Sequence, residues 1–104
     1  MKFDHVAVNV KSIKDSADWY IENLGAEIIY LDDTWAFLQF KNIKIALVTN
    51  DQHPDHFAVL DSSALSNKNA VKHRDGTISY YTKDLDNNYI EHIYYPSKKD
   101  LKSK

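Results

Sequence analysis

The sequence predicts an α+β fold made of two similar halves, paired βαβββ modules with the second-module helix shortened or missing. Three observations predict it. Short apolar runs of strand length recur along the chain, separated by brief polar breaks. One segment, near the start, carries apolar residues at helical spacing. The order strand, helix, strand, strand, strand then returns about 50 residues later with little room for a helix.

The elements follow in order. Residues 3–10 alternate: Val6, Val8 and Val10 point one way, and Phe3, His5, Ala7 and Asn9 the other, which reads as a half-buried strand. Ser12 with Asp15 three residues on resembles a capping box with Asp in place of Glu or Gln. Ile13, Ala17, Tyr20 and Leu24 then mark one face of an amphipathic helix over residues 12–24, and Gly25 supplies its left-handed end. Strands follow at 26–31, 35–40 and 43–48, with turns at 32–33 and 41–42. Residues 49–55, containing Pro54, read as a linker. The second half opens with a strand at 56–60. A polar stretch at 61–69 follows, then a short strand at 71–72, a turn at 73–76, and strands at 78–82 and 89–95. Pro96 stops the last one.

Composition narrows the function classes. At 104 residues, 43 % hydrophobic and 27 % charged, this is an ordinary globular balance. The division is one domain at 1–96, with module one at 3–49 and module two at 55–95, and a lysine-rich tail at 97–104. Thirteen basic and fifteen acidic residues give a net charge of −2, with no strong field for nucleic acid or a membrane. The absence of cysteine excludes disulfides, thiolate metal sites and thiol catalysis. MKFDHVAVNVK lacks the apolar stretch of a signal peptide, and no run approaches the ~20 residues of a membrane span. A cytoplasmic protein is the expectation.

Three residues occupy matching places in the two halves. His5 lies in the first strand of one half, His56 opens the first strand of the other, and Glu91 is midway along the last strand. If the halves are related by a pseudo-twofold axis, these three meet on one concave surface. Two imidazoles and a carboxylate suit a divalent metal with positions open to substrate or water. Trp35, Phe37, Gln39, Tyr81 and Tyr89 are candidates to line the cleft and contact a small-molecule ligand. Arg74, beside a turn, reads as a solvated surface residue, His53 as incidental to its loop, and His92 as structural.

Four stretches carry a family resemblance: DHVAVNVKSIKDSADWYIENLGAE at 4–27, WAFLQFKNIKIALV at 35–48, HPDHFAV at 53–59 and HRDGTISYYTKDLDNNYIEHI at 73–93. Together they resemble the vicinal oxygen chelate superfamily, the glyoxalase, bleomycin-resistance and extradiol-dioxygenase group. The resemblance implies modules curved round a shared cleft, with metal ligands at His5, His56 and Glu91. It implies Fe, Mn, Ni or Zn as the divalent ion and a small oxygenated substrate chelating it. A metal-free sequestering protein of the bleomycin-resistance type is the alternative. Glyoxalase I-like members carry a fourth, glutamate ligand where this chain has Ala46, and a methyl binds no metal. That leaves a three-ligand set, as in fosfomycin-resistance thiol transferases and extradiol dioxygenases. The family also has a full helix where this chain has residues 61–69. Phe57, Val59, Ile90 and Tyr94 are then expected to lose their cover, and a homodimer to restore it.

Overall fold

The computed structural model describes residues 1–49 and 53–96. The elements are β1 (Phe3–Asn9), α1 (Ile13–Leu24), β2 (Glu27–Leu31), β3 (Trp35–Gln39), β4 (Lys44–Val48), β5 (His56–Leu60), a 3-10 helix (Ser62–Ser66), β6 (Val71–Lys72), β7 (Ile78–Lys83) and β8 (Tyr89–Tyr94). All eight strands form one sheet in the order β2-β3-β4-β1-β5-β8-β7-β6. The repeat is explicit in that order: within each module the first strand pairs parallel with the last, β1 with β4 and β5 with β8. The two first strands, β1 and β5, run antiparallel at the centre and fuse the modules. The sheet curls into a half-barrel, and the α+β expectation holds.

Local chemistry explains the elements that frame the site. The Ser12 hydroxyl accepts the Asp15 amide at 3.3 Å and caps α1. Gly25, at φ 71°, ends the helix in the left-handed region and returns its amide to the Ile21 carbonyl at 3.1 Å. The 84–88 turn works without glycine. Asn87 takes φ 68°, and the Asp84 carboxylate accepts the amides of Asp86 and Asn88, each at 2.9 Å.

The two faces of the sheet do different work. Ile13 and Ala17 of α1 pack with Ala26, Ala36, Leu38 and Leu47, joined by Val8, Val10, Tyr20, Ile21, Phe40 and Ile45. This is the outer core, and it takes alternate residues of β1, β3 and β4. The opposite parity, Ala7, Phe37, Ala46 and Val48 with Trp35, forms a second cluster on the concave face. The helix is thus held by one set of side chains, and the other is free to build a cleft.

One expectation is corrected. Shortening the second helix does not strip Val59, which is 4 % exposed; Phe57, Ile90 and Tyr94 stay half-buried. The five-residue 3-10 helix suffices because it is stapled down. Ala64 is fully buried, and Asp61 accepts the Ser63 amide at 2.9 Å and the His92 Nδ1–H at 3.0 Å. Tyr80 stacks on the His92 ring at 4.6 Å, and the His92 Nε2 accepts the Thr82 hydroxyl at 2.7 Å. His92 is therefore structural, as expected. The exposed apolar strand lies elsewhere: every residue of β2, at the sheet edge, is exposed. Part of the linker expectation, residues 50–52, and the tail at 97–104 lie outside the described residues. Among the described residues no helix is long and apolar enough to cross a membrane.

Candidate functional site

Strand register brings the three candidate ligands together. His5 lies opposite Ala58 across the β1–β5 ladder, and Ala58 lies opposite Glu91 across β5–β8. A methyl thus separates the imidazole from the carboxylate, and the two longer side chains meet above it. The row beside this one runs Phe37, Ala46, Ala7, His56, so alanines also leave room around the second imidazole. The Nε2 atoms of His5 and His56 each stand 3.1 Å from Glu91 Oε1. One donor atom from each of the three residues falls within 4.8 Å of the others, and all three residues are buried.

Both rings are held from behind. His5 donates Nδ1–H to Asp4 at 2.7 Å, and His56 donates Nδ1–H to the Pro54 carbonyl at 2.8 Å. Each therefore turns Nε2 inward, the orientation a metal-ligating histidine needs. Burial alone would push the Glu91 carboxyl up, but hydrogen bonds from His5, His56 and Ser79 outweigh it and hold it well below the usual carboxylate range. Burial would lower His5, but Asp4 and Glu91 raise it above 6.5. This donor set, two oriented imidazoles and an ionised carboxylate, is of the kind that holds a divalent ion.

The cluster lies in the wall of a concave cavity of about 370 Å³, within the range of small-molecule sites. Trp35, Phe37 and Tyr81 line it, as the sequence suggested. Burial and the nearby Glu91 carboxylate push the Tyr81 hydroxyl far above its ordinary value, so it stays neutral. Gln39 and Tyr89 do not line it. Gln39 shares the parity of Trp35 and Phe37 but sits at the far end of β3, where its amide donates to the Phe40 carbonyl. Tyr89 precedes Glu91 by two residues and packs edge-on against Tyr81, at 5.9 Å, with the outer groove beyond.

Two lining residues, His53 and Arg74, were read differently from the sequence, and a third, His73, was placed only in a turn. His53 reaches Tyr81, its Nδ1 lying 3.3 Å from the hydroxyl; burial lowers its pKa despite the nearby Glu91 carboxylate. His73 places Nε2 3.7 Å from Glu91 Oε2 and 2.6 Å from the Ser79 hydroxyl. Arg74 is no isolated surface charge. It reaches from module two to module one, pairing with Asp32 at 3.1 Å and donating to the Thr34 hydroxyl at 2.9 Å, with its guanidinium 6.0 Å from the Trp35 ring centre. The missing signal was proximity in the folded chain: all three precede β7 and reach the cavity through tertiary contacts that spacing along the sequence does not display.

A βαβββ module and a repeat whose helix is reduced to a 3-10 turn, sharing one curled sheet with a buried His/His/Glu cluster facing a cavity, define a small metalloenzyme-like domain. The chain belongs to the glyoxalase/bleomycin resistance protein/dioxygenase superfamily, whose profile matches residues 2–100. Solved structures agree in fold. A hypothetical protein from Bacillus halodurans superimposes with a TM-score of 0.76 at 19 % identity, over 92 % of this chain and 95 % of that one. A methylmalonyl-CoA epimerase variant from Streptomyces coelicolor, in complex with 2-nitronate-propionyl-CoA, gives 0.73 at 11 % identity, over 93 % and 99 %. The methylmalonyl-CoA epimerase from Mycobacterium tuberculosis gives 0.70 at 16 %, over 99 % and 92 %. No curated protein matches the sequence.

Proposed function

We propose that this protein is a small metal-dependent enzyme acting on an oxygenated small molecule, with His5, His56 and Glu91 holding a divalent ion. The observation that carries the reading is the convergence of three oriented donor atoms within 4.8 Å, against a cavity of about 370 Å³. Such an ion supplies Lewis acidity toward vicinal oxygens of a substrate, stabilising negative charge that develops on a carbonyl or phosphoryl oxygen. The chain's own part is positioning. Trp35 and Phe37 offer aromatic walls, and Tyr81, neutral by burial, offers a hydroxyl beside His53 and His56. With no cysteine in the chain, the His53 imidazole and this hydroxyl are the proton-handling groups beside the centre. They suit an isomerase or lyase step within the wider set that includes transferases and dioxygenases. The epimerases among the structural neighbours support the isomerase reading.

A metal-free sequestering protein is the alternative. Against it, both imidazoles turn Nε2 toward one carboxylate oxygen in the cavity wall, each at 3.1 Å, an arrangement an apolar ligand does not use. Metal analysis of protein purified without chelator or polyhistidine tag tests the proposal. One ion per chain is expected, lost in both His56→Ala and Glu91→Ala. A wild-type protein that takes up none of Mn²⁺, Fe²⁺, Ni²⁺ or Zn²⁺ rejects it.

The reading includes a homodimer. Its support is the free edge of β2, where Ile28, Ile29, Tyr30 and Leu31 are exposed by 49, 50, 39 and 39 %. An exposed apolar edge strand is a template for pairing with another chain. Sedimentation at micromolar concentration is expected to give twice the chain mass of 12.1 kDa, and a monomer overturns this part.

A further inference from the structure

We propose that Asp4 is a positioning residue that sets the His5 imidazole for metal, held in place by Lys44 and Tyr95. The inference rests on the metal-centre reading above. Consecutive residues of a strand face opposite sides of the sheet, so Asp4 and His5 should point apart. They do not, because the β1–β5 ladder shifts register between Phe3 and His5. A bulge of this kind re-aims a side chain. Here it brings the Asp4 carboxylate to the same side as His5, 2.7 Å from Nδ1.

The carboxylate is only 7 % exposed, so it needs partners. It has three, from three strand segments. His5 donates Nδ1–H to Oδ2, the Tyr95 hydroxyl donates to the same oxygen at 2.6 Å, and Lys44 Nζ stands 2.9 Å from Oδ1. Lys44 lies directly across the β1–β4 ladder from His5, and Tyr95 follows β8, the strand that carries Glu91. The Lys44 ammonium is itself fixed between two rings, 4.9 Å from the centre of Phe37 and 4.8 Å from that of Tyr95.

The consequence falls on His5 alone. Its Nδ1 is anchored to an anion, whereas that of His56 is anchored to a neutral carbonyl. A carboxylate behind a ligating imidazole fixes its tautomer and raises its basicity as a ligand. Asp4 thereby presents the His5 Nε2 lone pair to the ion, and Lys44 and Tyr95 keep the carboxylate from swinging away.

The test uses Asp4→Asn and, because the first may fold poorly, Tyr95→Phe, which keeps the carboxylate and removes one of its donors. Dissociation constants for Co²⁺ are measured by competition with a chromophoric chelator, together with the Co²⁺ absorption spectrum. Asp4→Asn is expected to weaken binding about 10–100-fold and shift the spectrum, and Tyr95→Phe to do so by a smaller factor. A loss of thermal stability with Co²⁺ affinity within twofold of wild type and an unchanged spectrum makes Asp4 a structural ion-pair member only, and overturns the proposal. Nitrogen-15 shifts of His5 in the metal-free protein separate this from failure of the metal reading. If wild type binds no ion, the metal-centre reading fails by itself. A His5 ring that then keeps its protonation pattern in Asp4→Asn overturns the positioning role as well.

Discussion

Denaturant unfolding of the metal-free protein is expected to be hardest between about pH 5 and pH 6.5, and easier on both sides. The Asp4 carboxyl is pushed up by burial, but His5, Tyr95 and Lys44 together hold it at about 2, below its ordinary 3.8. Glu91 is also held well below its ordinary 4.5. A carboxyl with a depressed folded value stabilises above its unfolded value, and that stability is lost as pH falls through the folded one. The expected acid loss therefore begins below about pH 4.5, with Asp4 alone contributing about 2 kcal/mol. His5 has the opposite sign. Its value is raised above 6.5, so its contribution is fully present below 6.5 and lost as pH rises through the raised value. The three groups share hydrogen bonds, so their contributions do not add. Urea midpoints recorded across this pH range check the expectation, and a midpoint that stays flat from pH 3 to pH 8 contradicts it. Glu91→Gln should flatten the profile, since it removes a titrating carboxyl and one of the two charges that raise His5. With metal present the alkaline limb should reverse, because the ion competes with the His5 proton for Nε2.

Leu47→Ala is expected to cost about 3–5 kcal/mol, a large share of the 5–15 kcal/mol that holds a typical domain. Leu47 is fully buried at the middle of the outer core, opposite Ala36 on β3 and Val8 on β1. Its neighbours Ala17 and Ala36 are also fully buried and are already alanines. They have no flexible side chain to swing into the vacated space, so the cavity stays open and the cost lies toward the upper end. Leu85→Ala is the control: Leu85 is fully exposed in its turn, and the change should stay within about 0.5 kcal/mol. Thermal or urea unfolding of the two variants measures the contrast. Equal effects would mean that the packing of α1 on β4 is not what holds module one together.

Much of the fold was legible because it is local. The single helix, its Ser12 and Gly25 ends and the eight strands follow from period, capping and turn chemistry, each written within about ten residues of chain. Side-chain parity was legible too. His5 opposing Val8, and Glu91 opposing His92, already separated the cleft face from the outer face. The cover over Val59 was not, because it depends on Asp61 meeting His92, partners 31 residues apart.

The sequence by itself therefore determined the element order, the repeat and the faces that His5 and Glu91 take, since these depend on near neighbours along the chain. Tertiary structure alone decided that His56 and Glu91, 35 residues apart, share an oxygen–nitrogen contact, and that His53, His73 and Arg74 join the same cavity. It also decided that Asp4 lies beside His5, because a bulge in one ladder overrides the alternation read from the chain. The physical reason is common to all of these. Pairing register and its local slips arise from the competition of whole strands for partners, and no short window of residues contains both sides of that competition.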